Sequence, residues 1–161
     1  MNQTIKTPSE TAIEMREMVM PNHTNPQGSV FGGTVMGWID IAAAMVAGRH
    51  SNMPVVTAHI SDIDFIAPIR MGYYVLIQAS MNYVGKTSMM VGVKVTAENP
   101  RTGETHVTTK AYLTFVALDE NGKPAIVPGL NPVSEDEVRR FENSKKRVEL
   151  KKQVRVALRS K

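Results

Sequence analysis

The sequence predicts an α+β fold in which a long antiparallel β-sheet curls around one central apolar helix, with a charged helix added at the C-terminal end. Three observations carry this. Residues 33–48 form a single run of apolar or small side chains, long enough for a buried helix and interrupted by one acid, Asp40. Four strand-like segments follow, joined by links too short for parallel pairing, which needs a crossover of about a dozen residues. From Ser134 onward the chain becomes strongly charged in a helical pattern. A helix that is apolar nearly all round needs cover on most sides, and a sheet provides it by bending about the helix.

Size and composition agree with one globular domain. The chain has 161 residues, 42% hydrophobic and 21% charged, enough to bury a core without disulfides. Cys is absent, the N-terminal segment lacks the apolar centre of an export signal, and no apolar run approaches the roughly 18 residues of a membrane span. A cytoplasmic protein without membrane anchorage is expected. The net charge of +4 belongs to the tail: residues 135–161 hold ten Lys/Arg against five Asp/Glu, whereas the first 134 hold nine against ten. That tail lacks interleaved aromatics and the body lacks a basic stripe, which argues against a nucleic-acid partner. It reads as a solvated charged helix or a local anion-binding segment.

In chain order, residues 1–10 read as a loose N-terminus. Residues 11–20 alternate, with Ile13, Met15 and Val19 on one face, and suggest a first strand. Residues 22–28 hold two Asn, a Pro and a Gly and form a loop. In the helix 33–48, a period of 3.6 places Gly33, Gly37, Asp40, Ala44 and Ala47 on one face, while Val35, Trp38, Ile39, Ala42 and Val46 fill much of the rest. The strands follow at 55–66, 73–84, 87–97 and 106–118, with slipped alternation near 61–63 marking a bulge or bend. After a loop over 125–133, Ser134 and Glu137 have the spacing of a capping box. The helix beyond has only a thin apolar stripe, Val138, Phe141 and Val148, and is expected to be peripheral with a frayed end. The chain divides accordingly into a loose end (1–10), a main domain (11–130) and a helical tail (131–161).

Local sequence leaves the chemistry open. Asp40 suits a structural acid bonded to loop backbone as well as a base, and Asn25 suits plain turn chemistry. Gly32 and Gly33 permit close helix packing, and Gly85 with Lys86, Thr87 and Ser88 makes a hairpin turn. Several chemistries are absent. There is no Cys nucleophile and no Gly-x-Ser-x-Gly elbow, and His23, His50, His59 and His106 lack zinc-ligand spacing, so no metal is expected. Gly85-Lys86-Thr87 imitates the end of a phosphate-binding loop, but Ser80 stands where the first glycine belongs and a strand follows.

Taken together, the motifs Asn25-Pro26-Gln27-Gly28, Gly32-Gly33 with Asp40, Val56-Thr57-Ala58, Asp64-Phe65-Ile66-Ala67-Pro68-Ile69, Gly85-Lys86-Thr87-Ser88-Met89 and the run from Lys110 to Val116 resemble the hotdog-fold acyl-CoA thioesterases, in particular the cytosolic acyl-CoA hydrolase group. The likeness spans about residues 11–130. It implies hydrolysis of acyl-CoA to free acid and CoA, with Asp40 as general base or nucleophile and Asn25 of the partner subunit orienting water or carbonyl. Backbone N–H groups at Gly32 and Gly33 would stabilise the oxyanion. Gly85, Lys86, Thr87 and Ser88 would contact CoA, with the basic tail from Arg139 onward a looser contact. No cofactor is implied beyond coenzyme A as part of substrate and product. A homodimer would be the minimal active unit, assembling further into a hexamer, a trimer of dimers. The rival readings are a hotdog hydratase or dehydratase, for which His23 is the nearby candidate base, and a non-catalytic acyl-CoA-binding sensor.

Overall fold

The computed structural model describes residues 4–159. Its main sheet has five antiparallel strands in the order β2-β4-β5-β6-β3: β2 (Ile13–Met18), β3 (Val55–Phe65), β4 (Tyr74–Val84), β5 (Ser88–Glu98) and β6 (Thr105–Ala117). Helix α2 (Gly32–Ser51) lies in its concave face and ends where Asn52 turns left-handed, with its N–H on the Gly48 carbonyl. This is the hotdog fold.

The packing follows from alternation. Ile77 on β4, Val91 and Val95 on β5, and Leu113 and Phe115 on β6 face inward at 0–1% exposure against Ile39, Ala42, Ala43 and Val46 of α2 at 0%. Each large side chain so buried contributes about 1.5–3 kcal/mol. Many of the outward residues are polar. One transverse row runs Glu14, Gln78, Lys94, Lys110, Asp64 across all five strands. On β3 the register slips twice, between Thr57 and His59 and between Ile60 and Asp62, so the expected bulge is present together with a second. Those slips leave Thr57, Ile60 and Ile63 paired with inward-facing residues, and His59, Asp62 and Asp64 with outward-facing ones.

Two expectations need correction. Residues 4–10 are not loose: β1 (Ile5–Lys6) pairs in parallel with β7 (Gly129–Leu130), and α1 (Pro8–Thr11) follows it. Residues 1–3 and 160–161 lie outside the described residues. The second correction concerns α2, which is not enclosed. Met36, Ile41 and Met45 are 38–54% exposed, and a side chain added at Gly33 or Gly37 would meet nothing within 4 Å. The sheet covers one side of the helix and leaves an open stripe with Asp40 at its middle. Ala47, two turns beyond Asp40 on the same face, is buried, so the stripe closes toward the C-terminal end of the helix.

Helix α3 (Glu135–Arg159) runs along the outer face of the sheet. It begins with the expected capping box: Ser134 Oγ accepts from Glu137 N at 3.2 Å, and Glu137 Oε2 accepts from Ser134 N at 3.1 Å and Val133 N at 2.8 Å. Among the described residues, no helix is long and apolar enough to cross a membrane.

Candidate active site

Asp40 is half-buried, and its carboxylate Oδ1 accepts a 2.8 Å hydrogen bond from the hydroxyl of Thr57. The strand register explains the pairing: Thr57 stands opposite Phe115, an inward position, so its side chain points at α2 rather than away from it. Because β3 is an edge strand, Thr57 is also exposed. The pair therefore sits where the open helix stripe meets the open sheet edge. Oδ2 of Asp40 carries no bond among the described residues and is free to receive a proton or meet a carbonyl carbon.

Asn25 is fixed differently. Its side-chain oxygen accepts from Gln27 N at 3.0 Å and Ser29 N at 3.3 Å, an Asx turn that commits the acceptor and leaves the amide Nδ2 donors uncommitted among the described residues. The loop is pinned to α2 by His23, whose ring meets Trp38 edge-on at 5.1 Å and whose Nδ1 accepts from Met20 N. At the start of α2, Phe31 supplies no side-chain cap, and the N–H groups of Gly32 and Gly33 make no hydrogen bond among the described residues. Gly32 lines a pocket of about 330 Å³ whose walls also include Val30, Val35, Phe65, Pro68 and Ile69. The ring of Phe65 passes 3.3 Å from where a Cβ on Gly32 would stand, a close approach that a side chain at this position would tighten.

Within one chain the expected site is divided. Val84, Met89, Phe115 and Thr57 form one transverse row, so the hairpin holding Gly85, Lys86, Thr87 and Ser88 lies at the Thr57 end of the sheet, with Asp40. Its backbone is structurally engaged: Gly85 N bonds Ser88 O, Lys86 O accepts from Val127 N, and Thr87 O accepts from Ala117 N. The Lys86 side chain is exposed. Asn25 makes no hydrogen bond to Asp40, and Gly32 contacts Phe65 at the far end of β3. Along α2 alone, the helix start is about 12 Å from Asp40. Among the described residues, no group of three or more His, Cys, Asp or Glu is arranged to hold a metal ion.

Thr57 is a candidate site residue that its local sequence does not single out. A threonine in a strand is ordinary, and only the register of a bulged edge strand shows that it faces the acid.

Comparison with known proteins identifies the family to which this hotdog sheet and helix belong. Residues 27–104 match the thioesterase superfamily. YkhA of Bacillus subtilis, named an acyl-CoA thioester hydrolase, is 40% identical over 129 residues, covering 80% of this chain and 75% of that protein. The acyl-CoA hydrolase of Staphylococcus aureus, solved with butyryl coenzyme A, coenzyme A and coenzyme A disulfide, superposes with a TM-score of 0.90 at 35% identity, covering 97% and 95% of the two chains. A hexameric acyl-CoA thioesterase superposes with a TM-score of 0.92 at 38% identity, covering 96% and 99%. The chain belongs to the acyl-CoA thioester hydrolase family of the thioesterase superfamily. The Staphylococcus aureus hydrolase has also been solved as three single alanine variants, of an asparagine, an aspartate and a threonine.

Proposed function

We propose that this protein hydrolyses acyl-CoA to a free carboxylic acid and CoA at a site shared by two subunits, in the cytoplasm. The observation that carries the reading is Asp40, half-buried on the open stripe of α2 and bonded at 2.8 Å by the Thr57 hydroxyl. Support comes from spacing: the asparagine, aspartate and threonine altered in the Staphylococcus aureus hydrolase are separated as Asn25, Asp40 and Thr57 are here. Further support comes from the rat relative named a cytosolic acyl coenzyme A thioester hydrolase, 34% identical over 149 residues.

A second copy set edge to edge along β3 by two-fold symmetry runs antiparallel to the first. The Thr57 end of one strand then faces the Phe65 end of the other, which brings Asp40 of one subunit toward Asn25, Gly32 and Gly33 of its partner. The same contact covers the exposed Met36, Ile41 and Met45. Three such dimers make the hexamer.

In this arrangement the thioester carbonyl oxygen meets the free Gly32 and Gly33 N–H groups and the Asn25 amide, which stabilise the negative charge that develops on it. Asp40 either takes a proton from the attacking water or attacks the carbonyl carbon itself. Thr57 orients the carboxylate so that its free oxygen faces the substrate. The departing CoA thiolate is a modest base, with a pKa near ~8.5 if it resembles cysteine, and needs little acid assistance. Lys86, at the same end of the sheet as Asp40, supplies charge for the coenzyme phosphates beside Gly85, Thr87 and Ser88. Residues 11–130 make up the catalytic unit, and 131–161 the appended tail.

Hydratase chemistry is disfavoured because His23 spends Nδ1 on Met20 N and its ring on Trp38. Following free thiol with a panel of acyl-CoAs tests the proposal. Asp40→Asn should lower the rate about 10² to 10⁴-fold while leaving CoA binding intact. Near-normal thiol release by that folded variant would sink the mechanism, and tight acyl-CoA binding without release by the wild type would favour a sensor.

A further inference from the structure

Helix α3 is longer than the sheet it crosses. Its path is marked by three contacts. The Phe141 ring lies 5.4 Å from that of Tyr83 on β4, the Arg147 guanidinium lies 3.9 Å over the Tyr112 ring on β6, and Arg147 also pairs with Asp62 on β3. From Phe141 to Arg147 the helix rises about 9 Å. Moving from β4 to β6 takes two strand spacings of about 4.8 Å, so the helix crosses nearly perpendicular to the strands. One turn later Lys151 arrives over the edge strand, where Lys151 and Arg155 lie near His59.

Residues 152–159 then continue for about 12 Å, some two further strand spacings, past the last strand of this chain. The side chains of this end are those of a docking segment. Leu150, Val154 and Leu158 recur every four residues on one stripe and are 60%, 56% and 71% exposed. Lys152, Arg155 and Arg159 flank them and are exposed as well. At the edge itself, β3 turns acids outward. Asp62 is engaged by Arg147, whereas Asp64 is exposed and forms no ion pair among the described residues.

We propose that the last ten described residues of α3, 150–159, form a strap that crosses the subunit seam and docks on the outer sheet face of a second copy of this chain. The apolar stripe lies against the partner's sheet, and Lys152, Arg155 and Arg159 face the partner's outward acids, Asp64 first. This rests on the β3-to-β3 dimer described above. Charge selects the target. Two straps repel each other through their shared basic character, while the partner's unpaired Asp64 attracts each of them. Two-fold symmetry supplies two straps per dimer, so the contact on the outer face reinforces the helix contact on the inner face.

The experiment uses the full chain, a chain ended after Glu149, which keeps Arg147 and Asp62, and a full-length Lys152→Glu/Arg155→Glu variant. Sedimentation velocity is followed over a dilution series, with circular dichroism melting at high concentration to confirm folding. Both variants should dissociate to monomer at concentrations at least tenfold above those needed for the wild type. In the wild type, 0.5 M salt should weaken association, and this salt effect should shrink in the charge-reversed chain. Unchanged dissociation of the two folded variants overturns the strap. So does loss of a hexamer with the dimer intact, which would place the segment between dimers. Loss of binding to anionic phospholipid vesicles with assembly unchanged overturns it in favour of a membrane surface. A wild type that is monomeric and active at every concentration overturns the dimer reading itself, independently of the variants.

Discussion

Asp40 and Thr57 show how a site residue can be present in a sequence and still be invisible there. An acid among apolar neighbours is conspicuous because its burial is costly, so Asp40 stands out without any structure. Thr57 has no such mark: its function depends on which face of β3 it occupies, and the two bulges that set this shift the alternation. His50 is legible only in part for a similar reason. Burial pushes its imidazole below the ordinary value of 6.5, outweighing the opposite effect of the 2.9 Å bond from Nε2–H to the Pro128 carbonyl. The unfolded chain therefore binds a proton more readily than the folded one. Stability from this group is complete above about pH 6.5 and is lost as pH falls through that value toward the folded pKa. The unfolding free energy from urea titrations between pH 7.5 and 5 should fall with a slope of at most about 1.4 kcal/mol per pH unit from this residue, and His50→Gln should flatten that component. An unchanged pH profile in the variant would remove His50 as its source.

Among the elements, length decided what could be read. The central helix and four long strands announce themselves through periods of 3.6 and 2 sustained over ten residues or more. The two-residue strands β1 and β7 have no period to display. They exist because the chain returns to pair them, which no local pattern encodes. The open side of α2 was hidden for another reason: an apolar face looks the same whether its cover comes from the same chain or another. The start of α3, by contrast, was fully written in Ser134 and Glu137, since capping is a local exchange of two hydrogen bonds. Ser134→Ala should cost about 1 kcal/mol, seen as a lower thermal midpoint with the sheet unaltered. A variant as stable as the wild type would show that packing on Tyr83 and Tyr112 alone holds the helix start.

At the scale of the molecule, a shared site makes a prediction that a self-contained site does not. In the proposed dimer, Asn25→Ala and Asp40→Asn should each disable both sites, whereas a mixed dimer should carry one intact pair. Mixing the two inactive proteins under conditions of subunit exchange should restore roughly a quarter of wild-type activity, as random pairing puts half of the subunits in mixed dimers with one competent site of two. No recovery after demonstrated exchange would return both residues to the same chain.

The parallel clasp of β1 on β7 has a consequence for how the protein opens. Gly129 N bonds Thr4 O at 3.0 Å and Asn131 N bonds Lys6 O at 2.9 Å, while Pro128, next in the chain, accepts the bond from buried His50. Residues 4–6 thus act as a latch over the C-terminal end of α2. In native-state hydrogen exchange the Gly129 and Asn131 amides should lose protection together, as a unit that opens before the sheet. A tag or truncation at the N-terminus would be felt at the far end of the central helix before it reached the strands.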